Sequence, residues 1–263
     1  MFNTLDVLKV FSEQALAWNG KNVLISRKQG ETCRLMKFLK DLVSDGMTVL
    51  DVGTGTGKIA HRLTALGKDI QIFAVDIVFD MLRKFGQEDK ETTALCLTDI
   101  QRTCFRANLF DIITAQQVLH HLPNPAHVLD EAYRILKPKG YIIILTVGTE
   151  YQSEIFPYSD CPITEDALGR TNPEQIKALL EGCGFLNCKI KNDFFQMRFD
   201  DFRSYFDFMK SIGSLNKLYN YKVLPSSAED NLYKQAASVG ATAKNGHIDI
   251  TGHYITALAK KEG

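Results

Sequence analysis

Along residues 48–147, short β-branched and apolar runs alternate with segments of helical length. That alternation predicts βαβ units, and with them a parallel sheet covered by helices on both faces. The runs place strands at Thr48–Val52, Ile70–Val75, Ala94–Leu97, Phe110–Ala115 and Tyr141–Val147. Between the last two, Val128, Leu129, Ala132, Ile135 and Leu136 recur at the spacing of one helix face. They predict a crossover helix over Ala126–Lys137, stopped by Pro138 and Gly140. The pattern then loosens until Pro173–Gly182, a helix with proline at its start and glycine at its end. A sixth strand is expected at about Phe185–Asn192 and a last one in the apolar run Ile248–Ala259. Residues 193–246 form an insertion carrying Phe199, Phe202, Tyr205, Phe206, Phe208 and Met209, and residues 1–45 read as mainly helical. With no repeat or flexible linker, one domain is expected: a helical cap over 1–45, a core over 46–192, the insertion over 193–246 and a last strand within 247–263.

Composition narrows the class of partner. At 263 residues, 45% hydrophobic and 24% charged, the chain can bury a sizeable core as a soluble protein. Thirty-one basic residues balance thirty-one acidic ones, which argues against a nucleic-acid partner because no global positive field exists to concentrate polyanions. The cysteines at 33, 96, 104, 161, 183 and 188 form no Cys-x-x-Cys pair and have no histidines at zinc-like spacing. They read as reduced thiols of a cytoplasmic protein without a metal. Met1–Val10 lacks a basic stretch followed by an apolar run, and the longest apolar stretch is Tyr141–Leu145, so neither a signal peptide nor a membrane span is expected.

The candidate chemistry begins at Val49-Leu50-Asp51-Val52-Gly53-Thr54-Gly55-Thr56-Gly57, a strand running into a glycine-rich turn that opens a helix. Glycines there permit positive φ and let a ligand lie against bare backbone. The dinucleotide fingerprint needs a further glycine where Lys58 stands, and the phosphate-binding loop needs glycine and serine or threonine where Val52 and Ile59 stand. Asp51 instead puts a carboxylate beside the turn, which suits a ligand with an ammonium group. In Phe73-Ala74-Val75-Asp76-Ile77, the acid at a strand end can accept hydrogen bonds from both hydroxyls of a ribose, or simply cap the next helix. In Leu97-Thr98-Asp99-Ile100 a second acid can receive an adenine amine, or serve as a turn aspartate.

These segments, together with Phe110–Ala115, His120-His121-Leu122 and Ala132–Gly140, resemble in order and spacing the motifs of class I S-adenosylmethionine-dependent methyltransferases. In style the chain is similar to the quinone C-methyltransferases and the malonyl-carrier-protein O-methyltransferases. The resemblance implies a doubly wound, Rossmann-like α/β fold whose seven-stranded sheet is mostly parallel with an antiparallel last strand. It implies S-adenosylmethionine as cofactor and S-adenosylhomocysteine as product. Asp51 and Gly53, Thr54, Gly55, Thr56 and Gly57 then lie near the methionine moiety. Asp76, Ile77 and Met81 belong to the ribose side, Thr98, Asp99 and Ile100 to the adenine side, and Ala115 and Gln116 to the end of the fourth strand. Lys139 departs from the family, which often has a second glycine there.

The fourth strand end lies where chain direction reverses and ligands collect, which brings Gln117, His120 and His121 near the transferable methyl as catalytic candidates. His121 suits a general base, with an unperturbed pKa of about 6.5, although either histidine can equally be a packing residue. The acceptor expected is a small molecule or a carrier-linked acyl group, methylated by in-line displacement. Phe11–Trp18 resembles the family's leading helix, whose aromatics close over the cofactor. Arg198–Gly213 resembles the substrate-side helix of the malonyl-carrier-protein enzymes, where Arg198 or Arg203 would hold a carboxylate under an aromatic cover of Phe202 and Phe206. The competing readings are a non-catalytic or regulatory protein that keeps the cofactor site, and a nicotinamide-dependent oxidoreductase.

Overall fold

The computed structural model describes residues 4–17, 31–88, 93–157, 169–220, 222, 224–241 and 246–263. Helices α1 (Thr4–Ala17) and α2 (Glu31–Leu42) precede β1 (Thr48–Val52), α3 (Lys58–Thr64), β2 (Gln71–Asp76), α4 (Phe79–Glu88), β3 (Thr93–Leu97) and β4 (Phe110–Gln116). A 3₁₀ turn (Leu119–His121) leads to α5 (Pro125–Ile135), β5 (Leu136–Val147), α6 (Pro173–Gly182) and β6 (Phe185–Phe199). Helices α7 (Phe202–Ser211), α8 (Ser214–Leu218) and α9 (Ala228–Ser238) separate β6 from β7 (Ile248–Lys261).

The strands form one seven-stranded sheet in the order β3-β2-β1-β4-β5-β7-β6. The first five are parallel, and β7 runs antiparallel to both β5 and β6. The order reverses between β1 and β4, which opens a crevice at their carboxyl ends. Apolar side chains on the two faces feed two cores. One joins Leu35 and Leu39 of α2, Ile59 and Leu63 of α3, and Tyr205, Phe208 and Met209 of α7 to the sheet. The other joins Leu129 and Ile135 of α5 with Ile176 and Leu180 of α6. Helix starts follow their capping chemistry. Asn124 accepts from the Ala126 N–H ahead of Pro125, and Asn172 and Gln175 form a reciprocal capping box around Pro173.

Strands β2, β3 and β4 shift from the sequence expectation by a residue at an end, β5 begins at Leu136 and not Tyr141, and three further boundaries differ. The crossover helix ends at Ile135 and not Lys137, because Leu136 is already extended (φ −72°, ψ 139°) and the residue before Pro138 is sterically barred from helix. The sixth strand runs seven residues past Asn192 to Phe199, so the insertion begins later. Adjacent Phe194 and Phe195, one exposed and one partly buried, break the simple apolar alternation there. Pairing with β7 nevertheless continues, with Phe195 opposite Gly252, whose missing side chain leaves room for the phenyl ring. The last strand likewise extends to Lys261. Cys96, Cys104, Cys183 and Cys188 are free thiols, while Cys161 and the Cys33 side chain lie outside the described residues. No helix among the described residues is long and apolar enough to cross a membrane.

Lys139 occupies the left-handed region with φ 66°. That conformation costs a side-chain-bearing residue roughly 1 kcal/mol that glycine avoids. Lys139→Gly is therefore expected to raise the unfolding free energy by up to about 1 kcal/mol in a urea titration, and an equal loss would show the torsion to be unstrained here.

Candidate functional site

The β1–α3 turn is shaped by its glycines, each for a different reason. Gly53, Gly55 and Gly57 have φ of 60°, 56° and 83°. A side chain on Gly53 would strike Val118, and one on Gly57 would strike the Phe85 ring at 2.5 Å, so these two serve packing. A Cβ on Gly55 would meet no protein atom within 4 Å. Gly55 faces open space in the crevice.

Asp51 is 2% exposed and sits beside Thr114 in the β1–β4 register. Its two oxygens accept from Thr54 Oγ1 (2.7 Å) and Thr114 Oγ1 (2.8 Å). Burial pushes its pKa up to about 6 against the opposing effect of both hydroxyls. Asp76, at the end of β2, does more than the cap weighed from sequence. Oδ1 accepts the Val78 N–H ahead of α4, while Oδ2 reaches across to accept the Gly55 N–H, both at 2.9 Å. Burial raises its pKa as well. Asp99 accepts from the Gln101 N–H (2.9 Å), the turn-aspartate geometry.

These groups border a cavity of about 200 Å³. Its floor is Gly53 and Gly55, and one wall carries Asp76, Ile77, Val78 and Met81. Thr98, Asp99, Ile100 and Gln101 form a second wall, and Gln117, Val118, His121, Leu122 and Pro123 a third. Val7 and Phe11 of α1 cover it, and Phe11 meets the His121 ring edge-on at 5.0 Å. No lysine or arginine is among the described lining residues. Of the sequence candidates, Asp51, Thr54, Thr56, Gly57, Ala115, Gln116 and His120 do not line the cavity. Thr54 instead locks Asp51, and Ala115 belongs to the core. Trp18 lies outside the described residues.

His120 and His121 separate in role although their rings are 3.9 Å apart. His121 lines the cavity, whereas His120 packs away from it, against Gly169 and the Lys217 stem. Burial drives the His120 pKa down to about 3 and holds His121 well below its ordinary value, with the Lys217 charge adding to both. Both rings are therefore neutral near pH 7. Val7, Val78, Gln101, Val118, Leu122 and Pro123 were not singled out from sequence. They are apolar or neutral residues whose membership depends only on where the turns place them.

None of the described residues of the insertion lines this cavity. Tyr205, Phe206 and Phe208 are buried in the core beneath α7, and Phe202 packs against it. Arg198 is exposed and bonded through two nitrogens to Asp249, and Arg203 pairs with Asp207 and Glu229. The aromatic cover and arginine clamp expected from sequence are thus core packing and surface ion pairs. Helix α7 does touch the cover of the cavity, since Gln14 Nε2 of α1 donates to the Lys210 carbonyl (3.1 Å).

Residues 50–144 match the sequence model of a family described as a methyltransferase domain. A ubiquinone biosynthesis O-methyltransferase of Hydrogenovibrio crunogenus is 28% identical over 45% of this chain and 50% of its own. A malonyl-[acyl-carrier protein] O-methyltransferase of a Methylovorus species is 26% identical over 64% and 60%. Phosphoethanolamine N-methyltransferase 2 of Haemonchus contortus, solved with phosphomonomethylethanolamine and S-adenosylhomocysteine, shares the fold at a TM-score of 0.56 and 20% identity over 88% of this chain and 52% of that one. The chain spans about half the length of the curated relatives it matches. Sequence match, strand order and the glycine turn at the switch point converge on the same segment, and residues 50–144 carry a methyltransferase domain.

Proposed function

We propose that the protein transfers a methyl group from S-adenosylmethionine to a small-molecule or carrier-linked acceptor. The observation that carries this reading is a cavity with a bare glycine turn for a floor, carboxylates from two successive strand ends, and no cationic residue among the described lining residues. A nicotinamide dinucleotide or a nucleotide triphosphate would bring phosphates into that field uncompensated, which disfavours the oxidoreductase. A nucleoside with a cationic amino-acid tail suits it. Asp76 has acceptor capacity left for ribose hydroxyls beyond its two backbone bonds, Asp99 faces the adenine side, and Asp51 supplies negative charge beneath the turn. Ile77 and Met81 give apolar contact, and the Gly55 position leaves room for the ligand against the backbone. When bound, the cofactor supplies an electrophilic methyl on a sulfonium, so the protein's task is largely to hold the acceptor in line with it. His121, neutral and on the cavity wall, is the candidate base, and Gln117 beside it a candidate for orienting the acceptor. A non-catalytic cofactor binder would not require a neutral imidazole on that wall.

The charge on Asp51 gives the reading a pH signature. Its folded-state pKa lies above the ordinary 3.8, so the ligand-free protein loses stability from this group as pH rises from about 4 through about 6. Affinity for a ligand ammonium has the opposite sign, full above pH 6 and falling below it as the carboxyl takes a proton. Calorimetry should show S-adenosylhomocysteine binding about tenfold more weakly at pH 5 than at pH 7.5. Asp51→Asn should flatten that profile. A wild-type protein that binds NADH but not S-adenosylhomocysteine would end the methyltransferase reading.

Asp76→Ala removes the ribose acceptor and the Gly55 tie together. Hydrogen bonds to charged groups contribute about 1.5–3 kcal/mol, so affinity for S-adenosylhomocysteine should fall roughly ten- to hundredfold with the circular dichroism spectrum retained. Unchanged affinity would reduce Asp76 to a structural tie.

The two histidines should part in kinetics. With labelled cofactor and a metabolite extract as acceptor source, His121→Ala is expected to slow label incorporation by about a hundredfold or more. His120→Ala should act mainly through stability. Equal label incorporation by wild type and His121→Ala excludes base catalysis by that residue.

A further inference from the structure

The cavity wall made of Thr98, Asp99, Ile100 and Gln101 is bracketed by two cysteines. Cys96 lies in β3 opposite Val75, and Cys104 follows the wall. Past the wall the chain folds back on the sheet. Thr103 donates from its N–H (2.9 Å) and its hydroxyl (2.6 Å) to Oε1 of Glu131 on α5, and Arg134 donates to the Phe105 carbonyl (2.8 Å). The Phe105 ring meets Phe73 of β2 edge-on at 5.9 Å, and it packs with Cys96 against the same core. This fold-back brings the two thiols together, with the Cys96 S–H donating to the Cys104 sulfur. Burial, and then the neighbouring thiol, push the Cys96 thiol up from its ordinary value, so it stays protonated. Cys104 is exposed and is the sulfur that a solute in water reaches.

We infer that Cys96 and Cys104 form a reversible disulfide, and that closing it tightens cofactor binding by fixing the wall between them. The second half of the inference rests on the methyltransferase reading above. The wall is tied at its start by the Thr98 N–H to the Asp76 carbonyl (3.1 Å) and at its end by Thr103 to Glu131. Between these ties Ile100 packs into the core, but the polar bonds of Asp99 stay within the loop. Its carboxylate accepts from the Gln101 N–H (2.9 Å) and its carbonyl from the Arg102 N–H (3.1 Å). A loop fastened in this way loses freedom when a ligand orders it. A covalent tie across its ends removes much of that freedom beforehand. Because the thiols meet while the wall lines the cavity, the tie secures the arrangement that binds.

The oxidant is hydrogen peroxide. The Cys104 thiolate attacks one peroxide oxygen, the O–O bond breaks, and the departing hydroxide takes up a proton to give water and a sulfenic acid on Cys104. The Cys96 sulfur then attacks the sulfenic sulfur. The S–S bond forms, and the released hydroxide leaves as water with the Cys96 proton. Two thiols lose two electrons in all, and one peroxide becomes two waters. A dithiol reductant reverses the bond by exchange, to which exposed disulfides are the most open.

The test uses the full chain, reduced with dithiothreitol and then freed of it. One portion is treated with hydrogen peroxide, and part of that portion is reduced again. After the remaining thiols are blocked with N-ethylmaleimide, trypsin cuts behind Arg102, so a Cys96–Cys104 bond appears in mass spectrometry as two joined peptides. Calorimetry on each portion reads the affinity for S-adenosylhomocysteine. The joined peptides are expected, with binding about threefold or more tighter in the oxidised protein and back to its starting value after reduction. Cys104→Ser should keep the affinity of the reduced protein and lose the response to peroxide, and Cys96→Ser carries the same expectation should the first variant not fold. Failure of the two peptides to join, or joining of Cys104 to a different cysteine, overturns the inference. So does an affinity that the bond leaves unchanged or lowers, or a response to peroxide that survives in the serine variant. A reduced wild type that does not bind S-adenosylhomocysteine would instead overturn the methyltransferase reading, with the joined peptides still deciding the disulfide.

Discussion

The site depends on two carboxylates, one buried and one half-buried, that hold a glycine turn open. Asp51 ties β1 to the turn through Thr54 and to β4 through Thr114. Asp76 ties the turn to β2 by accepting the Gly55 N–H, and the Thr54 N–H adds a bond to the Val75 carbonyl (3.0 Å). Without these bonds a loop with three positive-φ glycines would have many conformations to lose on binding. With them, one arrangement is present before any ligand arrives. The cost is visible in the raised pKa of both acids, since burial disfavours their charge. A partner that brings positive charge recovers that cost, so stability and ligand choice meet in the same two side chains.

Around this turn support comes from the strand ends and cover from a helix. The floor and two walls belong to strand ends, whose positions are set by the ladder and by the cores on either face. The cover belongs to α1, which packs on α4 through Leu8, Phe11 and Ala15 against Val78 and Met81. Helix α1 also reaches the insertion, through Gln14 and the Lys210 carbonyl and through Phe11 beside Gly213. The insertion is itself anchored by its core aromatics and by the Tyr205 hydroxyl, which donates to Gln152 (2.6 Å). Its contribution near the β4 end is therefore made by Lys217 of α8, behind His120, and not by the aromatic face of α7.

Much of this was legible in the chain because it depends on local pattern. Periodicity two against periodicity three to four separated strands from helices through the parallel half of the sheet, where every strand is short and bounded by turn residues. Glycine spacing excluded the phosphate-binding turns, and an acid at each of two strand ends marked the polar walls. Boundaries were less legible where local pattern and tertiary pairing part. The outer half of β6 carries apolar residues on both faces of an edge strand, Phe194 outward and Phe195 inward, so its pattern alone does not separate strand from insertion. It is a strand because β7 is there to pair with it and Gly252 makes room for Phe195.

What the sequence alone determined was the fold class, the turn at its switch point and the acids beside it, since these follow from residue type and spacing along a few contiguous positions. Only the tertiary structure decided which of two adjacent histidines faces the cavity, because a 3₁₀ turn of three residues points neighbouring side chains in different directions. It likewise decided that Arg198, Arg203 and the aromatics of α7 serve the surface and the core, since the partners that claim them, Asp249, Glu229 and Gln152, lie 26 to 53 residues away. Long-range contacts of that kind leave no periodic trace in the chain, and the acceptor side of the site is built almost entirely from them.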